Sequence, residues 1–207
     1  MMTVFFFPND SIKDVYERTG MSGSFFSAFH SRFFANSAKM DIRRGYMAKK
    51  ENKTNAMRML ETAGIEYIPH TYDTDDGKLN GVSVAKKLNE DPDQVYKTLV
   101  TQGDDRNYYV FVIPVALKLD MKAAARAAGV KSVAMIPQKE LLGLTGYIHG
   151  GCSPVGMKKL FRTVFDETVI LYDTIMVSGG RVGLQVEVNP EKLLDITNGT
   201  TAALTAL

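Results

Sequence analysis

The chain has 207 residues, 45% of them hydrophobic and 23% charged, with a net charge of +2, a balance that fits one domain with a sizeable core. Its single cysteine excludes an intramolecular disulfide, and three scattered histidines form no CxxC, HxH or HExxH pattern, so a protein without metal or cofactor, in a reducing cytoplasmic compartment, is expected. No apolar run is long enough to span a bilayer, and "MMTVFFFP" lacks the charged lead of a signal peptide.

Eight of the eleven phenylalanines fall within residues 1–46, in stretches without helical or strand periodicity. Arg43-Arg44, two residues before Met47, can be encoded as a bacterial ribosome-binding sequence. Residues 1–46 are therefore expected to be a non-native or disordered extension, and 47–207 a single domain; the alternative is a real docking segment.

From there the elements follow in order. Thr54 is expected to cap a helix turning Met57, Leu60 and Ala63 inward, with Gly64 as its stop. "EYIPHTYD" reads as a strand, and an acidic turn leads to the helix "VSVAKKLN", with Ser83 as its expected cap. Asp91-Pro92 opens a brief helical turn that becomes a strand at Lys97. "YKTLVTQ" and "NYYVFVIP" form a hairpin, and Asp120 caps "MKAAARAA" before the stop at Gly129. A strand "KSVAMI" and a helix begun by Pro137 precede a glycine-rich loop. "DTIMVSGGRVGLQVEV" is a second hairpin, and Asn189-Pro190 opens the last helix. Strands do not alternate with long helices, so the expected fold is α/β of the α+β type: one strongly curved mixed sheet, or partial barrel, flanked by short helices.

Three features carry chemistry. In "GYIHGGCSPVGMKK" (146–159), a nucleophile at Cys152 needs a base in reach and a group to orient that base, and only His149 is near in sequence. Gly150 and Gly151 free the main chain of Cβ atoms and Pro154 fixes the far end, so the loop is either a tight turn or a backbone grip for a carbonyl or phosphate. Lys97 lies in an apolar strand, where an ammonium is costly unless it faces a cleft or lies at the strand's solvated start. His70 and Tyr72 share a strand face, and Ser178 precedes Gly179-Gly180 either as a ligand hydroxyl or as a turn former. Between residues 118 and 162, eight basic side chains, Lys158, Lys159 and Arg162 among them, face only Asp120 and Glu140, a sign of charge that suits a polyanion or a solvated surface.

Taken together, "HTYD", "DPDQVYKTLV", "TGYIHGGCSPVGMKK" and "DTIMVSGGRVGLQVEV" resemble the YbaK/EbsC family, free-standing relatives of the prolyl-tRNA synthetase editing domain, in order across about residues 54–200. The resemblance implies an enzyme, an aminoacyl-tRNA deacylase of ester hydrolase or lyase type. Its substrate would be a misacylated tRNA, above all Cys-tRNA(Pro), and prolyl-tRNA synthetase a partner. It assigns Lys97 as catalytic, and Tyr72, Thr98, Gly150, Gly151, Ser153, Pro154 and Ser178 as substrate-binding. Lys158, Lys159 and Arg162 become candidates for holding the tRNA. In cysteine-specific members the substrate's own thiol attacks its ester, so Cys152, commonly aliphatic in relatives, is expected only to pack. Asn80 and Gln185 stand where some such members carry phenylalanine and aspartate, which leaves open another amino acid, such as alanine, or a binding module that does not catalyse.

Overall fold

A computed structural model of the chain describes residues 53–205; the expectation for residues 1–46 lies outside them. The first helix, α1 (Asn55–Thr62), is capped by Thr54 and buries Met57 and Leu60. Ala63, expected inside, is the exposed C-cap, because the helix stops at Thr62 and Gly64 takes φ +67°. Strand β1 (Tyr67–Thr71) follows, then α2 (Gly81–Leu88). Asn80 caps α2 instead of Ser83: its side chain accepts from the Ser83 N–H, so the serine lies inside the first turn.

A 3₁₀ turn, Pro92–Gln94, delivers the chain to β2 (Tyr96–Gly103), which pairs antiparallel with β3 (Tyr108–Pro114). The alanine-rich α3 (Met121–Ala128), β4 (Val133–Met135) and α4 (Gln138–Thr145) come next. After the glycine-rich loop the chain forms β5 (Arg162–Asp166), β6 (Ile175–Ser178), β7 (Leu184–Val188), α5 (Pro190–Thr197) and β8 (Thr200–Ala202).

The α/β architecture with short helices is as expected, but the described strands form two sheets, not one. The first is three-stranded and antiparallel, in the order β1-β7-β6. The second is mixed, in the order β4-β2-β3-β5-β8, with β5 parallel to both β3 and β8. One isolated parallel bridge, Val95 to Met176, joins the sheets at the start of β2. Here Ala85, Val95, Val115 and Met176 form a buried cluster beneath α2. A larger core under α3 includes Phe111, Ile113, Ala124, Val164 and Leu204; large apolar side chains buried this fully stabilise by about 1.5–3 kcal/mol each. Both clusters brace β2, the strand that carries Lys97.

Among the described residues, no helix is long and apolar enough to cross a membrane.

Candidate active site

A cleft of about 630 Å³ opens where the start of β2 meets the β1-β7-β6 sheet, walled by α2 on one side and by α4 and the glycine-rich loop on the other. Cross-strand register sets the small sheet's contribution: Gln185 of β7 lies opposite His70 of β1 and Ser178 of β6, so all three share one face, of which Gln185 and Ser178 line the cleft while His70 does not. Tyr72, one residue past β1, continues that alternation, and its N–H donates to Gly183 O at 3.1 Å. Of the residues expected at the site, Tyr72, Lys97, Thr98, Gly150 and Ser178 line the cleft.

Lys97 is half-buried, and its ammonium donates to the main-chain carbonyls of Val115 at 3.0 Å and Leu117 at 2.6 Å. Burial first, and the charge of Lys118 second, push its pKa below the ordinary lysine value. An ammonium has three N–H donors, and carbonyl acceptors fix its direction without neutralising its charge. Gly81 makes this arrangement possible, since a Cβ there would lie 2.5 Å from the Val115 side chain.

The loop wall departs from expectation. Gly151 is buried, its N–H donates to Ile148 O at 3.0 Å, and a Cβ on it would come within 2.9 Å of the Arg181 and Val182 main chain. Gly151 therefore seals the loop against the β6–β7 turn, and its N–H does not face a ligand. Ser153 and Pro154 are likewise buried behind the wall, where Ser153 Oγ accepts from the Val155 N–H. By contrast, Gly150 (φ +80°) and Cys152 line the cleft, and their N–H groups make no hydrogen bond among the described residues.

Cys152 itself is only 8% exposed, and burial pushes its thiol up to about 12. At neutral pH it is protonated and a poor nucleophile. Ser178 is buried with its Oγ accepting from the Gly180 N–H at 3.3 Å.

Of the basic candidates, Lys158 donates to the carbonyls of Leu142 and Gly143, and Arg162 to those of Ala127 and Ala128. Both satisfy helix C-termini, of α4 and α3, which accounts for them without a polyanion. Lys159 is exposed.

One contributor was not legible in the sequence. Lys87 reaches from α2 to Asp76 Oδ1 and to the carbonyls of Asp73 and Lys78, and lies 6.0 Å from the centre of the Tyr72 ring. It pins the acidic turn, and its reach from α2 to that turn exists only in the fold. Thr98 Oγ1 and Gln185 Oε1, both on the cleft, are buried without a hydrogen-bond partner among the described residues.

Residues 81–196 match the aminoacyl-tRNA editing domain family. A curated protein of Enterococcus faecalis, provisionally named Cys-tRNA(Pro)/Cys-tRNA(Cys) deacylase EbsC, is 44% identical over 161 residues, covering 77% of this chain and 98% of the relative. Among solved structures, a provisional trans-editing enzyme for prolyl-tRNA synthetase superposes with a TM-score of 0.65 at 24% identity, over 76% of this chain and all of the other. A hypothetical protein superposes with a TM-score of 0.68 at 22% identity, over 74% of this chain and all of the other. These two share the fold.

Proposed function

The chain belongs to the aminoacyl-tRNA editing domain family, and we propose that it is a trans-editing deacylase that removes a wrong amino acid, foremost cysteine, from tRNA(Pro). The observation that supports this most directly is Lys97: a partly desolvated ammonium, aimed by two main-chain carbonyls, in a cleft whose cysteine is buried and protonated. Such a site offers hydrogen-bond donors and position, and its cysteine supplies no thiolate nucleophile.

In this reading the aminoacylated 3′ end enters the cleft, and the remaining Lys97 N–H, with the free N–H groups of Gly150 and Cys152, stabilises the negative charge that grows on the ester oxygen. The cysteinyl sulfur bonds to the carbonyl carbon, the bond from that carbon to the ribose oxygen breaks, and the thiol proton ends on the ribose oxygen. Water then opens the released thiolactone to cysteine. The reaction is intramolecular, so its acceleration comes from holding the thiol and carbonyl in line. Tyr72 and Ser178 line the space for the aminoacyl group, and Lys159 remains a candidate contact for the tRNA backbone. Lys158 and Arg162 reach the tRNA only if their helix-capping bonds yield. Prolyl-tRNA synthetase is the proposed partner, as the enzyme that makes the substrate.

A second reading keeps the chemistry and changes the amino acid. The cleft contains Asn80 and Gln185, neutral amides, and Asn80 already spends its oxygen on the α2 cap. A deacylation panel with Cys-, Ala-, Ser- and Pro-charged tRNA(Pro) separates the two. Fast turnover of the cysteinyl ester with slow turnover of the seryl ester supports the thiol-assisted route; equal rates replace it with an activated water.

A further inference from the structure

Gln185 is only 7% exposed, sits mid-strand in β7 and lines the cleft. Its amide oxygen is fully buried and accepts no hydrogen bond among the described residues. Thr98 Oγ1, on the opposite sheet but lining the same cleft, is the other described side-chain atom in that state. Native interiors rarely leave such atoms unmet, so two in one cleft mark a subsite that a ligand completes.

The chemistry of that ligand group follows from what surrounds it. An amide oxygen only accepts, so the group must donate. No carboxylate lines the cleft among the described residues. Glu187, the carboxylate on the same face of β7, is already held by His70 Nε2 at 3.0 Å and Thr174 Oγ1 at 2.8 Å. A donor that enters the cleft therefore finds Gln185 from the small sheet and Thr98 from the large one. An aminoacyl ester brings acceptors, its carbonyl and ester oxygens, that suit the N–H groups of Lys97, Gly150 and Cys152. Its α-amino group is the donor fixed closest to the reacting carbon.

We infer that Gln185 Oε1, with the Thr98 hydroxyl beside the same space, receives the α-amino group of the aminoacyl substrate. The assignment rests on the deacylase reading for the identity of the ligand. It makes Gln185 a binding residue that selects for a free amine and orients the carbonyl toward Lys97.

The test uses the full chain and two stable probes, 3′-cysteinylamido-3′-deoxyadenosine and its 3-mercaptopropionyl counterpart, which replaces the amine by hydrogen. Calorimetric titration is expected to find the amine-bearing probe about tenfold tighter, the size of one good hydrogen bond to a charged donor. Gln185→Leu should bind both probes alike, and Gln185→Glu should keep the preference. Equal binding of the two probes by the unaltered protein, binding of neither, or a preference that survives Gln185→Leu overturns the inference. The comparison on the unaltered protein needs no variant to fold. Charged tRNA that the protein fails to deacylate, with the amine preference still present and dependent on Gln185, would remove the deacylase reading and leave the subsite standing.

Discussion

The hydroxyl of Thr54 donates to the carbonyl oxygen of Gly179 at 2.5 Å, while that hydroxyl's own oxygen accepts from the Met57 N–H at 3.2 Å. One side chain thus caps α1 and holds the turn between β6 and β7. Its neighbour Asn55 donates to Gly156 O at 2.6 Å, so the first turn of α1 fastens both glycine-rich segments behind the cleft. Thr54→Val keeps the shape and removes both bonds. It is expected to lower stability by about 1–2 kcal/mol, the usual cost of a lost cap and a part-buried hydrogen bond. Thr54→Ser should retain most of it. Urea denaturation of the three proteins measures the difference, and an unchanged midpoint in the valine variant would refute the double role.

Lys97→Ala should reduce turnover on charged tRNA about 10²–10³-fold, the usual effect of removing a donor aimed at a developing oxyanion. The fold should persist, because the two carbonyls it releases belong to Val115, which lines the cleft, and to half-buried Leu117, where water can replace the ammonium. Burial and Lys118 hold the ammonium below its ordinary range, so turnover should fall with rising pH before the ordinary lysine value of about 10.4, and this limb should be missing from the alanine variant. For stability the sign is opposite. The folded state binds this proton more weakly than the unfolded chain, so Lys97's contribution rises with pH between the lowered value and the ordinary one. Turnover profiles and urea titrations at matched pH measure both.

Cys152→Val should leave most of the activity, because a protonated buried thiol is exchanged for a similar apolar volume. Single-turnover deacylation of Cys-tRNA(Pro) is the measurement; a folded but inert variant would restore Cys152 as the nucleophile.

Gly151→Ala should act on the fold before it acts on chemistry. The added methyl would press against the main chain of Arg181 and Val182 at 2.9 Å, which forces the two loops apart. A drop in melting temperature accompanying the loss of turnover is expected; lost turnover at unchanged melting temperature would instead place the methyl in the substrate's path.

Residues 47–207 are proposed to be the functional unit, since every cleft residue lies between Tyr72 and Gln185. A chain beginning at Met47 should deacylate at the full-length rate, and loss of activity or solubility would make residues 1–46 a working part of the protein.

Caps and turns were the most legible features of the sequence: Thr54, Asp120 and Asn189 each begin a helix where polar side chains offer an acceptor to free N–H groups. Ser83 misled because Asn80 offers the same chemistry three residues earlier. β5 was invisible, since "RTVFD" is short and buried over four of its five residues, so it lacks the alternation that marks a half-exposed strand. At the site, Lys97 stood out as a charge in an apolar run. The inward turn of Gly151 did not, because it depends on contact with a turn some thirty residues away. Lys158 and Arg162 read as polyanion contacts for a similar reason, as charge is local in sequence while the helix ends they cap are reached only in the fold.

The main-chain contact between Gly151 and the Arg181–Val182 segment is a seam behind the cleft that tolerates almost no added atom, whereas the cleft itself is walled largely by exchangeable side chains. Substrate preference can then drift by single substitutions on α2 and β7 while the reactive geometry stays put. A designer wishing to retarget this scaffold would randomise Asn80 and Gln185 and leave the glycines untouched.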